Sequence, residues 1–472
     1  MSIDRLIDGA MRPVADLVSG AVFVTVPVFG ADLPLIVAWL IGGGVFFTVY
    51  LRFINLRGFA EALRIITGRR AGPADPGEIP QFQALTTAVS GTVGIGNMAG
   101  VAVAITAGGP GATFWLIVAG LLGMSTKFAE CTLGVRFRRV NPDGSVSGGP
   151  MYYLEQGLRV RGRPRLGRVL GAFYAAAMVF GCLGIGNMFQ SNQAAALFVD
   201  VTGGGSGYFG DKAWLVGLLL AGLVALVIVG GIRSIASTTV RLVPAMAVLY
   251  IALALAVLAL NAREIPSAFV AIWQGALSSE GMAGGALGAL VIGFRRAAFS
   301  NEAGLGSAAI AHATARTARP ASEGYVGLLE PFIDTVVICT MTALVLITTV
   351  YDPVLAGAGV NGIELTTRAF TSTLSWSAPP LAVAAILFAF STMIAWAYYG
   401  LKAFTYLAGE GRAQDLGFKL FFCVFVVVGA SVDLAAVVDL SDALVFVVAL
   451  PNLVGLYLMA PLVREELQRY RP

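Results

Sequence analysis

Charge is scarce in this chain. Charged residues are 12% of its 472 residues, about half of the roughly 25% found in soluble globular domains. Hydrophobic residues are 57% and mean hydropathy is +0.82. A soluble chain of this length needs a charged surface, so a water-soluble protein is excluded. Histidine is represented by His312 alone, which excludes a histidine metal cluster and a histidine proton relay. The four cysteines, Cys131, Cys182, Cys339 and Cys423, lie in apolar stretches without C-x-x-C spacing, so no disulfide framework or zinc site is expected. There is no charge block, G-X-Y period or heptad run, which removes disorder, collagen and coiled coil. The first 30 residues carry Asp4, Arg5, Asp8, Arg12 and Asp16, so no cleavable signal peptide is expected.

Long apolar runs are what the chain has in abundance. A membrane-spanning helix takes about 20 apolar residues. Eleven stretches qualify: 33–53, 84–107, 112–135, 167–199, 214–231, 236–261, 286–314, 325–350, 380–408, 416–437 and 440–463. The fold class is therefore an all-α polytopic membrane protein with about eleven transmembrane helices. The 58 glycines suit close helix packing and broken helices in a bilayer.

Lys and Arg set the orientation. Arg52, Arg57, Arg64, Arg69 and Arg70 follow the first span; Arg136, Arg138, Arg139, Arg159, Arg161, Arg163, Arg165 and Arg168 follow the third. Alternate loops are acidic or nearly neutral, with Asp200, Asp211, Lys212, Glu264, Glu280, Asp352, Asp439 and Asp442. Placing the basic set in the cytoplasm predicts an outside N-terminus and a cytoplasmic C-terminus. Basic loops also occur in nucleic-acid binders, but beside spans they report topology, and no nucleic acid is expected.

Two spans hold polar and small residues at mid-membrane depth. One contains Ser90-Gly91-Thr92-Val93-Gly94-Ile95-Gly96-Asn97; the other contains Phe299-Ser300-Asn301-Glu302-Ala303-Gly304-Leu305-Gly306-Ser307. Each glycine costs a helix roughly 1 kcal/mol, and irregular backbone persists in a bilayer only where it lines a cavity. Both are read as broken helices. They are the second and seventh spans, so spans 2–6 and 7–11 form two sets of five with opposite topology. That is the inverted-repeat plan of a secondary transporter, with the site at the breaks. The implied division is an extracellular segment 1–32, a peripheral first helix and linker 33–83, repeats 84–261 and 262–463, and a tail 464–472. Glycines are also plain helix-packing positions, and Gly184–Met188 in the fourth span repeats the Gly94–Met98 string without an obvious break.

At these residues the sequence resembles the alanine or glycine:cation symporter family, the sodium:alanine symporters. The matching strings are Ser90–Gly100, Gly108–Trp115, Thr126–Leu133, Ser147–Leu154, Asn187–Asn192, Phe299–Ala313, Phe332–Thr340 and Phe388–Gly400. The resemblance implies a LeuT-like fold of five-plus-five inverted repeats with one peripheral N-terminal helix. One departure is the pair Ala308-Ala309, where the family commonly has proline; a local change of helix geometry is expected there.

The expected chemistry follows from an amino acid's two charges. Half-helix N–H groups and the positive helix end suit a carboxylate, and the N–H groups from Thr92 through Gly94 to Gly96 offer donors. Sodium takes oxygen ligands. By resemblance to the LeuT-like architecture, Asn97, Ser300 and Asp334 or Thr335 form one sodium site, with a carbonyl near Thr92. The carbonyls near Ser90 and Val93, with Ser391 and Thr392, form a second. Ser391 and Thr392 have another reading, bonding back to their own helix carbonyls. Gln190 and Asn192 are polar in the fourth span, and Trp396 lies one turn after Thr392. With Phe299 and Asn301, Gln190 and Trp396 are the expected substrate-binding residues.

The remaining intramembrane charges carry their own expectations. Glu302 is expected to cap freed backbone N–H groups. Lys127 and Glu130, three residues apart, are expected to pair locally. Arg295 or Arg296 either pairs with Asp439 or Asp442 as an extracellular latch or stays solvated in a vestibule. His312 is read as structural or interfacial.

The expected function is sodium-coupled import of alanine or glycine by alternating access across the bacterial inner membrane. No enzyme activity, cofactor or obligate protein partner is expected, sodium being the coupling ion and the lipid bilayer the surroundings. The alternatives are an ion channel and another cation-coupled small-solute transporter. A channel needs a symmetric ring or a filter string, and the two breaks differ. An enzyme needs a nucleophile and base or a metal set, which one histidine and scattered cysteines do not supply.

Overall fold

The computed structural model describes residues 9, 12–13, 16–20, 22–28, 31–68, 75–142, 144–277, 285–351 and 362–470. Of the charges used for orientation, Arg69, Arg70, Glu280 and Asp352 lie outside these residues, as do Asp4, Arg5 and Asp8 of the N-terminal segment.

Each of the eleven apolar stretches is helical. A short hairpin, Thr25–Val28 paired with Ala31–Pro34, leads into α1 (Leu35–Tyr50). The second stretch is divided into α2 (Gln81–Thr92) and α3 (Ala99–Gly108), and α4 (Gly111–Arg136) follows. A basic connection holds α5 (Pro150–Val160). The fourth stretch is α6 (Pro164–Leu183), a π-helical turn at Gly184–Met188, and α7 (Phe189–Val201). Next come α8 (Ala213–Ile228), α9 (Gly231–Leu260) and α10 (Ile265–Leu277).

The seventh stretch is α11 (Gly285–Asn301) and the single turn α12 (Ala308–His312). The eighth runs from α13 (Pro320–Gly327) through a π-helical segment at Phe332–Cys339 into α14 (Thr340–Thr349). Then follow α15 (Ile363–Thr373), α16 (Ala378–Ala408), α17 (Arg412–Ser431) and α18 (Leu434–Arg469). Among the described residues seven helices are long and apolar enough to cross a membrane. The α2–α3 pair makes an eighth, bent by 58°, and α1 and α8 are shorter apolar helices.

Among the described residues, two short helices, Ile54–Arg57 and Phe59–Ile66, lie in the linker after the first stretch, and three longer helices were not anticipated either: α5, α10 and α15. These three are only 11–13 residues long, too short for the 20-residue criterion, and they lie between spans.

The broken helices sit at the centre of the packing. α4 packs on α11 and α13, while α2 packs on α9 and α16, and α6 on α16 and α18. Loops gather at two ends. At one, Arg138 donates to the carbonyls of Pro76, Ala313, Ala315 and Thr317 at 2.6–2.8 Å, tying three connections together. This is the end rich in arginine. At the other end Gln193 accepts from Ile363 N–H at 3.0 Å, and Asn192 donates to the Gly429 and Val432 carbonyls. The connections at 75–80, 137–149 and 313–319 thus meet at one end, and those before Ile363 and after Gly429 at the other.

Candidate substrate and cation site

The first break begins where α2 runs out of helix-favouring residues. Gly94 is extended, with φ −128° and ψ −162°, and Ile95–Asn97 make one 3₁₀ turn. Side chains take up the freed donors. Gly94 N–H donates to Asn97 Oδ1 at 2.9 Å, and Ile95 N–H donates to Gln190 Oε1 at 3.0 Å. A Cβ on Gly94 would stand 2.5 Å from Thr392 Oγ1 and 3.0 Å from Gln190 Oε1. Glycine is therefore required here by close approach. Gln190 is held in turn by its Nε2, which donates to the Ile185 carbonyl at 3.0 Å. Ile185 lies in the π-turn Gly184–Met188, a feature often found at functional sites.

The second break begins after Asn301, where Glu302 has φ +58°. Its donors are satisfied from elsewhere. Asn301 Oδ1 accepts from Ala303 N–H at 3.0 Å. Glu130 Oε1, reaching over from α4, accepts from Gly304 N–H and Gly306 N–H, both at 3.0 Å, and from Asn452 Nδ2 at 2.8 Å. Asn452 also donates to the Gly304 carbonyl and accepts from the Tyr153 hydroxyl. The expectation for Glu302 is thus corrected: Glu130 and Asn301 cap this break. Glu302 instead accepts from the Ser307 hydroxyl and the Trp396 indole N–H.

Between the breaks lies a buried polar cluster. Asn97 Nδ2 donates to Asp334 Oδ1 at 2.6 Å and to the Asp334 carbonyl at 3.1 Å. Ser300 Oγ and Thr335 Oγ1 each donate to Asp334 Oδ2 at 2.7 Å. The structure therefore brings Asn97, Ser300, Asp334 and Thr335 together from three spans. Asp334 is fully buried, and these three side-chain partners are neutral. Asn301 joins the edge of this network, donating to Thr335 Oγ1 at 3.0 Å.

The residues of the second expected cation group are placed differently from one another. Thr392 Oγ1 donates to the Ser90 carbonyl at 2.9 Å, so α16 touches the first broken helix there. Ser391 Oγ donates to the Phe388 carbonyl of its own helix at 3.0 Å and contacts Met246 sulfur. The back-bonding reading describes Ser391, while Thr392 bonds across to the first broken helix. Val93 ends α2, buried, with its N–H on the Val89 carbonyl at 2.7 Å.

Aromatic rings border the site. The Phe299 ring meets Phe189 edge to face at 4.9 Å and lies against Gly96, whose Cβ would be 3.5 Å from it. Thr92 closes the α2 turn, its hydroxyl on the Val89 carbonyl at 3.2 Å. Trp396 lies lower, toward the arginine-rich end, with its N–H 3.3 Å from the Gly91 carbonyl.

The other charges are also placed. Arg295 Nη2 reaches Asp442 Oδ2 at 2.8 Å, and Arg296 binds the same oxygen. The expected ion pair therefore forms, with Asp442 as acceptor of both arginines, and the Arg296 guanidinium covers the Phe299 ring at 5.1 Å. Lys127 does not pair with Glu130; its Nζ is 3.4 Å from Glu330 Oε2, both side chains fully buried. An (i, i+3) pair was outcompeted by a carboxylate on the facing helix and by the break's demand on Glu130. His312 is structural rather than interfacial: it is fully buried, with Nδ1 2.6 Å from Glu323 Oε1.

Sequence reasoning missed Glu130 as a cap, and also Asn452, Tyr153 and Thr366. Thr366 on α15 donates to the Met98 carbonyl at 3.2 Å, covering the first break. Asn452 was detectable as a lone amide after Pro451 in an apolar span.

A family model described as the sodium:alanine symporter family matches residues 20–472. The chain belongs to the sodium:alanine symporter family. Members of this family are membrane transporters, so this is a multi-pass transporter and not an enzyme. Among its relatives, the sodium/alanine symporter AgcS of Methanococcus maripaludis is 38% identical over 93% of this chain and 94% of its own. The probable sodium/glutamine symporter GlnT of Bacillus subtilis is 32% identical over 92% and 87%. The amino-acid carrier protein AlsT of the same organism is 34% identical over 89% and 86%. Among solved structures, MhsT in complex with L-phenylalanine superposes with a TM-score of 0.58 at 16% identity, over 82% of this chain and 89% of that one. At that identity the likeness is one of fold, and the fold of this symporter-family chain is LeuT-like.

Proposed function

We propose that this chain imports alanine or glycine together with sodium by alternating access across a bacterial inner membrane. The observation that carries the reading is the Asn97–Ser300–Asp334 cluster, which joins both helix breaks around one buried carboxylate. Sodium would replace these hydrogen bonds with oxygen contacts from Asn97 Oδ1, Ser300 Oγ, Asp334 and a carbonyl near Thr92. A second sodium would sit between the Ser90 and Val93 carbonyls and Thr392, with Ser391 needing to rotate to join. The N–H groups at Gly94 and Gly96 would receive the substrate carboxylate. Gln190, Phe299 and Trp396 would bound its side chain, and Asn301 would enter only on rearrangement of its bond to Thr335. A close wall is the way such a site rejects larger side chains, since one methylene gives only about 1–3 kcal/mol by attraction.

The arginine-rich end is assigned to the cytoplasm and the N-terminus to the outside. The experiment is uptake of labelled alanine into proteoliposomes under an inward sodium gradient, with unlabelled glycine, serine and leucine as competitors. The expected result is sodium-dependent uptake blocked by glycine and not by leucine. Uptake indifferent to sodium would overturn the reading.

A further inference from the structure

The Trp396 indole N–H makes two bonds that both cross between helices. It donates to Glu302 Oε1 at 2.9 Å and is shared with the Gly91 carbonyl at 3.3 Å. Trp396 and Glu302 are each 1% exposed. One donor on α16 therefore fastens the last turn of α2 and the second break at a single point. The ring fits because residue 186 is glycine: a Cβ there would overlap the indole. Glu302 meets it from a backbone conformation, φ +58°, that is uncommon for a long side chain and persists where surroundings enforce it.

The opposite side of the same broken helix carries a second fastening. Arg296, six residues before Glu302, binds Asp442 of α18. The polar cluster at Asn97 and Asp334 and the Phe189–Phe299 ring pair belong to the level between the two. Both fastenings are closed in this structure. Transport by a LeuT-like fold rocks the broken helices against their surroundings so that one side opens at a time. We infer that the Trp396–Glu302 hydrogen bond is the inner latch of this cycle, the counterpart of the Arg295/Arg296–Asp442 latch. The inference rests on the symport reading and adds to it a positioning residue whose release admits the cytoplasm.

The chemistry suits a bond that must open and close. A carboxylate acceptor makes it stronger than a neutral pair. When α16 parts from the break, Glu302 keeps the Ser307 hydroxyl, which lies on the same break and moves with it. The carboxylate is then not left without a donor, and the open state remains accessible.

The test uses Ala403, which lies two turns beyond Trp396 on the same face of α16, toward the arginine-rich end, and is fully buried. An Ala403→Cys reporter in proteoliposomes is exposed to a small thiol reagent from the cytoplasmic face, beside the parent lacking that cysteine. Trp396→Phe keeps a ring and removes the N–H, and is expected to raise the labelling rate about fivefold or more without substrate. Glu302→Gln keeps a neutral acceptor and is expected to raise it less. The same ordering in both variants supports the latch. Labelling unchanged in both variants, while the reporter protein still takes up alanine with sodium, overturns it. Failure of sodium-dependent uptake in the parent itself would instead strike the symport reading. If Trp396→Phe does not fold, an unchanged rate in Glu302→Gln alone overturns the latch.

Discussion

Asn97 and Asp334 are joined across two spans by a 2.6 Å hydrogen bond, and the same Asn97 side chain accepts from Gly94 N–H. One amide thus connects the backbone of the first break to the buried carboxylate beside the second. Asp334→Asn removes the negative charge and leaves the shape. It is expected to raise the sodium concentration for half-maximal alanine uptake at least tenfold, about 1.4 kcal/mol. Unchanged sodium dependence at normal expression would remove Asp334 from the cation site.

Gly94→Ala introduces a methyl group 2.5 Å from Thr392 Oγ1 and 3.0 Å from Gln190 Oε1. Either α16 or the break must shift. The expected outcome is loss of alanine uptake with the protein still folded, checked by transport alongside size-exclusion chromatography. Parental uptake would show that the break is looser than its contacts imply.

Gln190→Ala strips Ile95 N–H of its acceptor. A buried donor left unpaired costs about 1–3 kcal/mol. Alanine uptake is expected to fall about tenfold or more, and leucine is expected to stay excluded because the Phe189–Phe299 pair is untouched. Leucine uptake in this variant would make Gln190 a size wall instead of a backbone anchor.

Asp442→Asn leaves Arg296, 4% exposed, without its carboxylate. Removing one partner of a buried pair costs about 3–5 kcal/mol, here charged to the closed state. A Thr366→Cys reporter, buried over the first break, is expected to be labelled faster from outside in this variant. An unchanged rate would show that the arginines do not hold the outer side shut.

Topology has its own test. A cysteine placed within Gly203–Gly207 is expected to react with an impermeant reagent from outside, and one within Arg159–Arg165 is not. The reverse pattern would overturn the orientation.

The spans and breaks were legible because their signals are local. An apolar run of about 20 residues leaves a helix few alternatives in a bilayer, and glycine beside polar residues at mid-depth marks where that helix stops. Asn97, Ser300 and Asp334 could be grouped through the family resemblance, and the fold places them in one hydrogen-bonded cluster. Partner choice was not legible. Lys127 and Glu130 look like a pair along the helix, yet each answers to a group 170 residues or more away, Glu330 and Gly304. Glu302 sits at the break it was expected to cap, but its φ of +58° turns the side chain to Trp396 and Ser307. Such choices depend on which helices face one another, and no spacing in the sequence encodes that. The π-turn at Gly184–Met188 was equally hidden, since its glycines alone do not distinguish packing from a bulge.

Coupling is the central claim, and alanine-driven sodium movement tests it most directly. Proteoliposomes with equal sodium on both sides are given an inward alanine gradient, and influx of radioactive sodium is followed. The account predicts sodium uptake that needs alanine, is abolished by Gly94→Ala and is reduced by Asp334→Asn. Sodium influx that is the same with and without alanine, or alanine entry that carries no sodium, would contradict it.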